Sequence, residues 1–116
     1  MDLLHQGVVR GEISLPRWVE ISSTTPARMF GIYPRKGVIA PGADADIVVY
    51  DPTARQTISA RSHHMNVDYS AYEGMALTGK VTTVLSRGRV VIADGAFHGV
   101  AGHGQFLHRD PSQYLV

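Results

Sequence analysis

Apolar and polar positions along this chain change rhythm near Pro34. Before it the spacing is helical. Asp2 can cap a helix over roughly residues 3–10, with Gly11 as a natural stop. Ser14 can cap a second helix, with Pro16 tolerated in its first turn and Leu15, Trp18, Val19 and Ser22 sharing a face. Thr25 followed by Pro26 predicts a fresh start: a hydroxyl cap, proline at the first helical position, Ala27 to Phe30 as the body and Gly31 as a left-handed stop. Helices this short are marginal alone in water, so they must pack on something.

After Pro34 the rhythm is that of strands. Ile47 to Tyr50 is a continuous apolar run bounded by Asp46 and Asp51-Pro52, as a strand buried on both faces would be. Gln56 to Ala60 predicts a weaker partner. Lys80 to Ser86 alternates, with Val81, Thr83 and Leu85 on one face and Thr82, Val84 and Ser86 on the other. Arg87-Gly88 and Asp94-Gly95 read as tight turns, so residues 80–97 predict an antiparallel meander. Residues 61–79 show no period and read as an ordered loop. The Gly-rich residues 99–116 read as an extended tail, and there is no internal repeat.

Composition narrows the function classes. Apolar residues at 44% and charged residues at 18% give a globular balance in one small domain or a piece of a larger one. The net charge is +1, and the nine Arg and two Lys are scattered, so nothing argues for a nucleic-acid partner. Cysteine is absent, which excludes disulfides and thiolate metal sites and fits a cytoplasmic location. The residues after Met1 carry no signal-peptide pattern, and no apolar run is long enough to span a membrane.

The stretch from Thr-Pro-Ala-Arg-Met-Phe-Gly (25–31) through Lys-Gly-Val-Ile-Ala-Pro-Gly-Ala-Asp-Ala-Asp-Ile-Val-Val-Tyr-Asp (36–51) resembles a known junction. It is where the amidohydrolase superfamily leaves its metal-bearing barrel and enters its C-terminal β-domain. His63 to Met75 and Gly102 to Arg109 look like the C-terminal region of dihydropyrimidinases and D-hydantoinases, which open cyclic amides. The likeness runs from Leu3 to about Arg109, and its one noted departure is Thr25, where the family usually has Asn.

The resemblance implies an α+β chain. Residues 1–33 would be closing helices of a metal-dependent (β/α)8 barrel, 34–98 an antiparallel β-rich part of a composite β-sandwich, and 99–116 an extended tail. In the family two metal ions, usually zinc, are held by a His-x-His pair, a carboxylated lysine, two further His and an Asp. None of these ligands carries over. The histidines are His5, His63, His64, His98, His103 and His108, with no His-x-His, and Lys36 and Lys80 do not sit on barrel strands. No catalytic, substrate-binding or metal residue is therefore expected here, and the two zinc ions belong to segments outside this chain. The implied partners are the rest of the barrel and neighbouring subunits of a homotetramer or dimer. Phe106 and Leu107 would anchor that contact, with Arg109 at its rim.

The remaining candidates favour structural roles. His63 and His64 are adjacent, so on extended backbone they point to opposite sides and cannot easily share a metal. His98, His103 and His108 match neither a helix nor a strand face. Asp44 and Asp46 share a face but have no accompanying base or nucleophile, so turn and strand-end stabilisation is expected. No phosphate loop and no Gly-x-Ser-x-Gly occurs. Trp18, Met29 and Phe30 read as core. Three functions stay open: the inactive C-terminal part of a cyclic amidohydrolase, a non-catalytic dihydropyrimidinase-related adaptor, and a stand-alone β-rich binding module.

Overall fold

In the computed structural model, which describes residues 1–114, helix α1 (Asp2–Val9) opens the chain. Met1 holds the cap position with no side-chain cap, and Asp2 is the first helical residue, where its carboxylate favours the positive helix end. Arg10 closes the helix and Gly11 follows at φ +73. Helix α2 (Leu15–Val19) starts as its sequence predicts, with the Ser14 hydroxyl accepting from the Arg17 N–H at 3.3 Å.

The predicted break at Thr25-Pro26 does not occur. From α2 the chain passes through a π-helical turn, Glu20–Thr24, straight into α3 (Thr25–Met29), and Thr25 is itself helical at φ −61, ψ −49. In the wider turn the Thr25 N–H reaches back to Glu20 O. That extra residue per turn gives Pro26, which has no N–H to offer, a place inside a continuous helix. The Thr24 hydroxyl donates to Gly37 O at 2.8 Å and ties the helix to the following turn.

Among the described residues the sheet has four antiparallel strands in chain order, β1 (Ile47–Thr57), β2 (Ala76–Ser86), β3 (Arg89–Ala93) and β4 (Ala96–Phe97). β1 continues through Asp51-Pro52, which the sequence marks as its end. The register jumps from Asp51 opposite Lys80 to Arg55 opposite Thr78, a bulge that absorbs the proline. Asp51 Oδ1 holds it by accepting from the N–H groups of Thr53 (2.8 Å) and Ala54 (3.1 Å). An edge strand tolerates this because one side of it needs no ladder bond. β2 begins at Ala76, so the predicted loop ends four residues early. Both hairpin turns have positive φ at their two central residues, 46 and 77 at Arg87-Gly88 and 49 and 81 at Asp94-Gly95. Those values match the twist of antiparallel strands.

The Ile47–Tyr50 run is not buried on both faces. It lies at the sheet edge, with Val48 40% and Val49 48% exposed. Among the described residues the buried core is small: Trp18, Ala27, Leu77 and the polar His5. Of the residues predicted as core, Met29 and Phe30 are instead more than half exposed.

The tail is anchored twice. His103 Nε2 meets Ser86 O at 3.1 Å, and the Arg87 guanidinium donates to His103 O. Farther on, the Asp110 N–H donates to Gly31 O (2.9 Å) and the Gln113 N–H to Arg28 O (3.1 Å), returning the tail to the end of α3. Gly31, at φ +65, has no room for a side chain because Asp110 backbone fills the space. Between the anchors Phe106 is 83% exposed, edge-on to His108 at 5.1 Å. Leu107 is half-buried and Arg109 exposed. The last two residues of the predicted tail, 115 and 116, lie outside the described residues.

Candidate functional site

Three groups of polar side chains are candidates for chemistry. The first sits where α1 crosses the sheet. The rings of His5, Trp18 and Tyr50 meet at centroid distances of 4.8 to 5.2 Å. His5 Nδ1 lies 2.9 Å from Thr78 O, so it carries the proton there and donates. The Gln6 amide brackets the same residue, Nε2 donating to Thr78 O (2.9 Å) and Oε1 accepting from Thr78 N (3.2 Å). A helix side chain thus stands in for a strand at a place beyond β3, which pairs only with Thr83 to Ser86. Gln56 Nε2 donates to Asp2 Oδ2 (2.9 Å) and to Gly79 O (2.6 Å). Burial pushes the Tyr50 phenol up to about 12, and the Asp2 carboxylate adds to the rise. Tyr50 therefore stays neutral at physiological pH and offers no base. With His5 buried, the group is a polar joint between helix and sheet rather than a reaction centre.

The second group joins the turn before β1 to the β2–β3 hairpin. Lys36 Nζ contacts Asp44 Oδ2 at 2.9 Å and Asp46 Oδ2, and Arg35 Nε reaches Asp44 at 3.1 Å. Asp46 Oδ1 accepts from the Arg87 N–H at 2.7 Å, which fixes the hairpin turn. Lys36 holds the Asp44 carboxyl below its ordinary 3.8. Burial works against ionised Asp46, yet the Lys36 ammonium and the Arg87 amide still hold it low. Burial likewise opposes the Lys36 charge, but Asp46 and Asp44 outweigh it and raise Lys36 above 10.5. Depressed carboxyls contribute stability that is present above about pH 4 and lost as pH falls through their folded values. The raised lysine contributes below 10.5 and loses its share as pH climbs past its folded value. Lys36→Met is accordingly expected to shrink the drop in melting temperature between neutral pH and pH 3. Parallel melting profiles for the two proteins would show that the cluster is not coupled to folding.

The third group borders a groove beside α1 and contains His63 and His64. The His64 ring stands 5.8 Å from Phe97, and His63 Nδ1 is buried without a hydrogen-bond partner among the described residues. No three His, Asp or Glu side chains converge on a metal-sized point among the described residues. The donor set does not fit a zinc centre, and no metal-assisted step is assigned to it. No helix of the described residues is long and apolar enough to cross a membrane.

Phe106, Leu107 and Arg109, expected from the sequence to form an oligomer contact, share the exposed arch between the tail anchors. Nothing in the sequence signalled Gln6 or Gln56. Gly79 did carry a signal, since an isolated glycine in a strand marks a bulge or a close approach. Its φ is +100, and a Cβ there would fall 2.7 Å from His5 Nδ1.

Residues 1–91 match the model of the amidohydrolase family. The chain is 64% identical over 116 residues to a D-hydantoinase of Streptomyces coelicolor, covering 100% of this chain and 25% of that protein. Among solved structures, a D-hydantoinase from a Bacillus species superposes with TM-score 0.91 at 51% identity, over 95% of this chain and 24% of that one. A dihydropyrimidinase from Brevibacillus agri superposes with TM-score 0.87 at 50% identity, over 92% of this chain and 23% of that one. The chain spans about a quarter of the length of these relatives.

Proposed function

The chain belongs to the amidohydrolase family, and we propose that it forms the C-terminal, non-catalytic part of a hydantoinase- or dihydropyrimidinase-type enzyme. The intact enzyme would hydrolyse the cyclic amide C–N bond of hydantoins or dihydropyrimidines. Residues 1–33 would close its barrel, 34–98 would supply part of the β-sandwich, and 99–116 would be the tail. The two zinc ions would be held by other segments, because the ligand types here do not converge.

The observation that carries this reading is the identity to a D-hydantoinase along the whole chain. The distribution of apolar side chains supports it. Leu15, Val19, Met29 and Phe30 are 45% to 55% exposed, on helices too short to stand alone. A barrel packed against that face would bury them. In this reading the arch bearing Phe106 and Leu107, with Arg109 beside them, reaches a neighbouring subunit of a homotetramer or dimer.

The test is a hybrid in which this chain replaces the matching quarter of the Streptomyces D-hydantoinase, assayed for hydantoin and dihydrouracil ring opening and for zinc content. The hybrid is expected to be active with parental zinc content, and this chain alone to be inactive with added zinc. Turnover by the chain alone, or a hybrid that neither folds nor acts, would overturn the proposal.

A further inference from the structure

The last carbonyls of a helix have no N–H ahead of them, and at the end of α3 the tail supplies donors. The Asp110 N–H donates to Gly31 O (2.9 Å), the Gln113 N–H to Arg28 O (3.1 Å) and the Gln113 side-chain amide to Tyr33 O (3.3 Å). The landing site is shaped for backbone, since a side chain at position 31 would run into Asp110. Two routes therefore join this helix end to the β2–β3 hairpin, and both start at Arg87. One runs from the Arg87 N–H through Asp46 to Lys36, whose own N–H donates to Ile32 O at 2.9 Å. The other runs from the Arg87 guanidinium to His103 O and along the tail to Gly31.

We infer that residues 110–114 cap α3 of their own polypeptide, making the tail a strap that works in parallel with the Lys36–Asp46 tie. The inference rests on the function proposed above, in which α3 closes a barrel and the hairpin belongs to the β-part. The strap then crosses the boundary between the two. One observation favours the same polypeptide over an arm exchanged with a neighbouring copy. His103 is already held at Ser86 O (3.1 Å), so the few residues from there to Asp110 present the tail end to Gly31 at high effective concentration. Parallel ties mask one another. Losing either leaves helix end and hairpin joined through the other, whereas losing both frees them, so the two losses are more than additive.

Cysteine placement tests the docking in the full-length hybrid. The Gln113 N–H bonds Arg28 O, so thiols at positions 28 and 113 are within reach of a short bismaleimide. Each maleimide double bond takes up one thiol, sulfur on one carbon and the proton on the other, and nothing leaves. Peptide mapping is expected to find the two positions joined when both substitutions are on one polypeptide. No link is expected when Arg28→Cys and Gln113→Cys are carried by separate, co-expressed polypeptides. Heat inactivation tests the parallel tie. Lys36→Met and truncation after Arg109 are each expected to shorten the half-life about threefold, and together about thirtyfold rather than the roughly ninefold of independent changes. Gly31→Ala, which blocks the landing site without shortening the chain, should show the same coupling to Lys36→Met. An active, folded hybrid that links across co-expressed polypeptides, links in neither arrangement, or shows independent effects overturns this inference and leaves the proposed function standing. An inactive, unfolded hybrid overturns both.

Discussion

Trp18→Ala is expected to cost about 3–5 kcal/mol, enough to leave a chain of this size largely unfolded at room temperature. Trp18 is 4% exposed, and its ring fills the angle between His5 and Tyr50 at 5.2 and 5.0 Å. Its indole N–H donates to Met1 O at 3.3 Å, so the same side chain also holds the first turn of α1. The described core has few other members, and none can expand into the space of an indole. Urea denaturation followed by circular dichroism would measure the loss. A cost below about 1 kcal/mol would mean that the helices do not rest on this ring. Trp18→Phe, which retains most of the ring volume, should recover more than half of the stability.

Gly79→Ala is the second large effect, expected at about 2–5 kcal/mol from two contributions of similar size. One is backbone strain, since φ is +100. The other is collision, because a Cβ would lie 2.7 Å from His5 Nδ1 and 2.8 Å from Tyr50 Cε1. Neither ring can step aside freely, as His5 is bonded to Thr78 O and Tyr50 packs on Trp18. Gly42→Ala provides the comparison. Its φ is +90, but nothing lies within 4 Å of a Cβ there, so it reports strain without collision. Thermal melts of the two variants should differ by several degrees. Equal losses would remove close packing as the reason for glycine at position 79.

Where the sequence was legible, the governing signal was local. Ser14 caps α2 because a hydroxyl and the third N–H after it suffice, whatever surrounds them. Arg87-Gly88 and Asp94-Gly95 turn the chain because few dipeptides accept two positive φ values in succession. Thr25-Pro26 misled for the same reason. Viewed locally it is a helix start, and only the reach of the Thr25 N–H to Glu20 O shows that the helix never stopped. Asp51-Pro52 reads as a strand end until the Asp51 carboxylate is seen holding the bulge that carries the strand past it. The meeting of His5, Trp18 and Tyr50 has no local signature, since it joins three elements far apart in sequence.

The bond between Gln6 and Thr78 spans 72 residues, and that distance has a consequence during synthesis. Helix α1 leaves the ribosome before β2, and the residue it grips follows at the pace of translation. At roughly 5–20 residues per second the wait is about 4–14 s. Through that interval Asp2, His5 and Gln6 lack their partners in the sheet, and the ring of Trp18 lacks Tyr50. An early helix cannot template the sheet that completes it. The growing chain must keep α1 soluble until β2 arrives, and the short, polar-flanked α1 suits that delay.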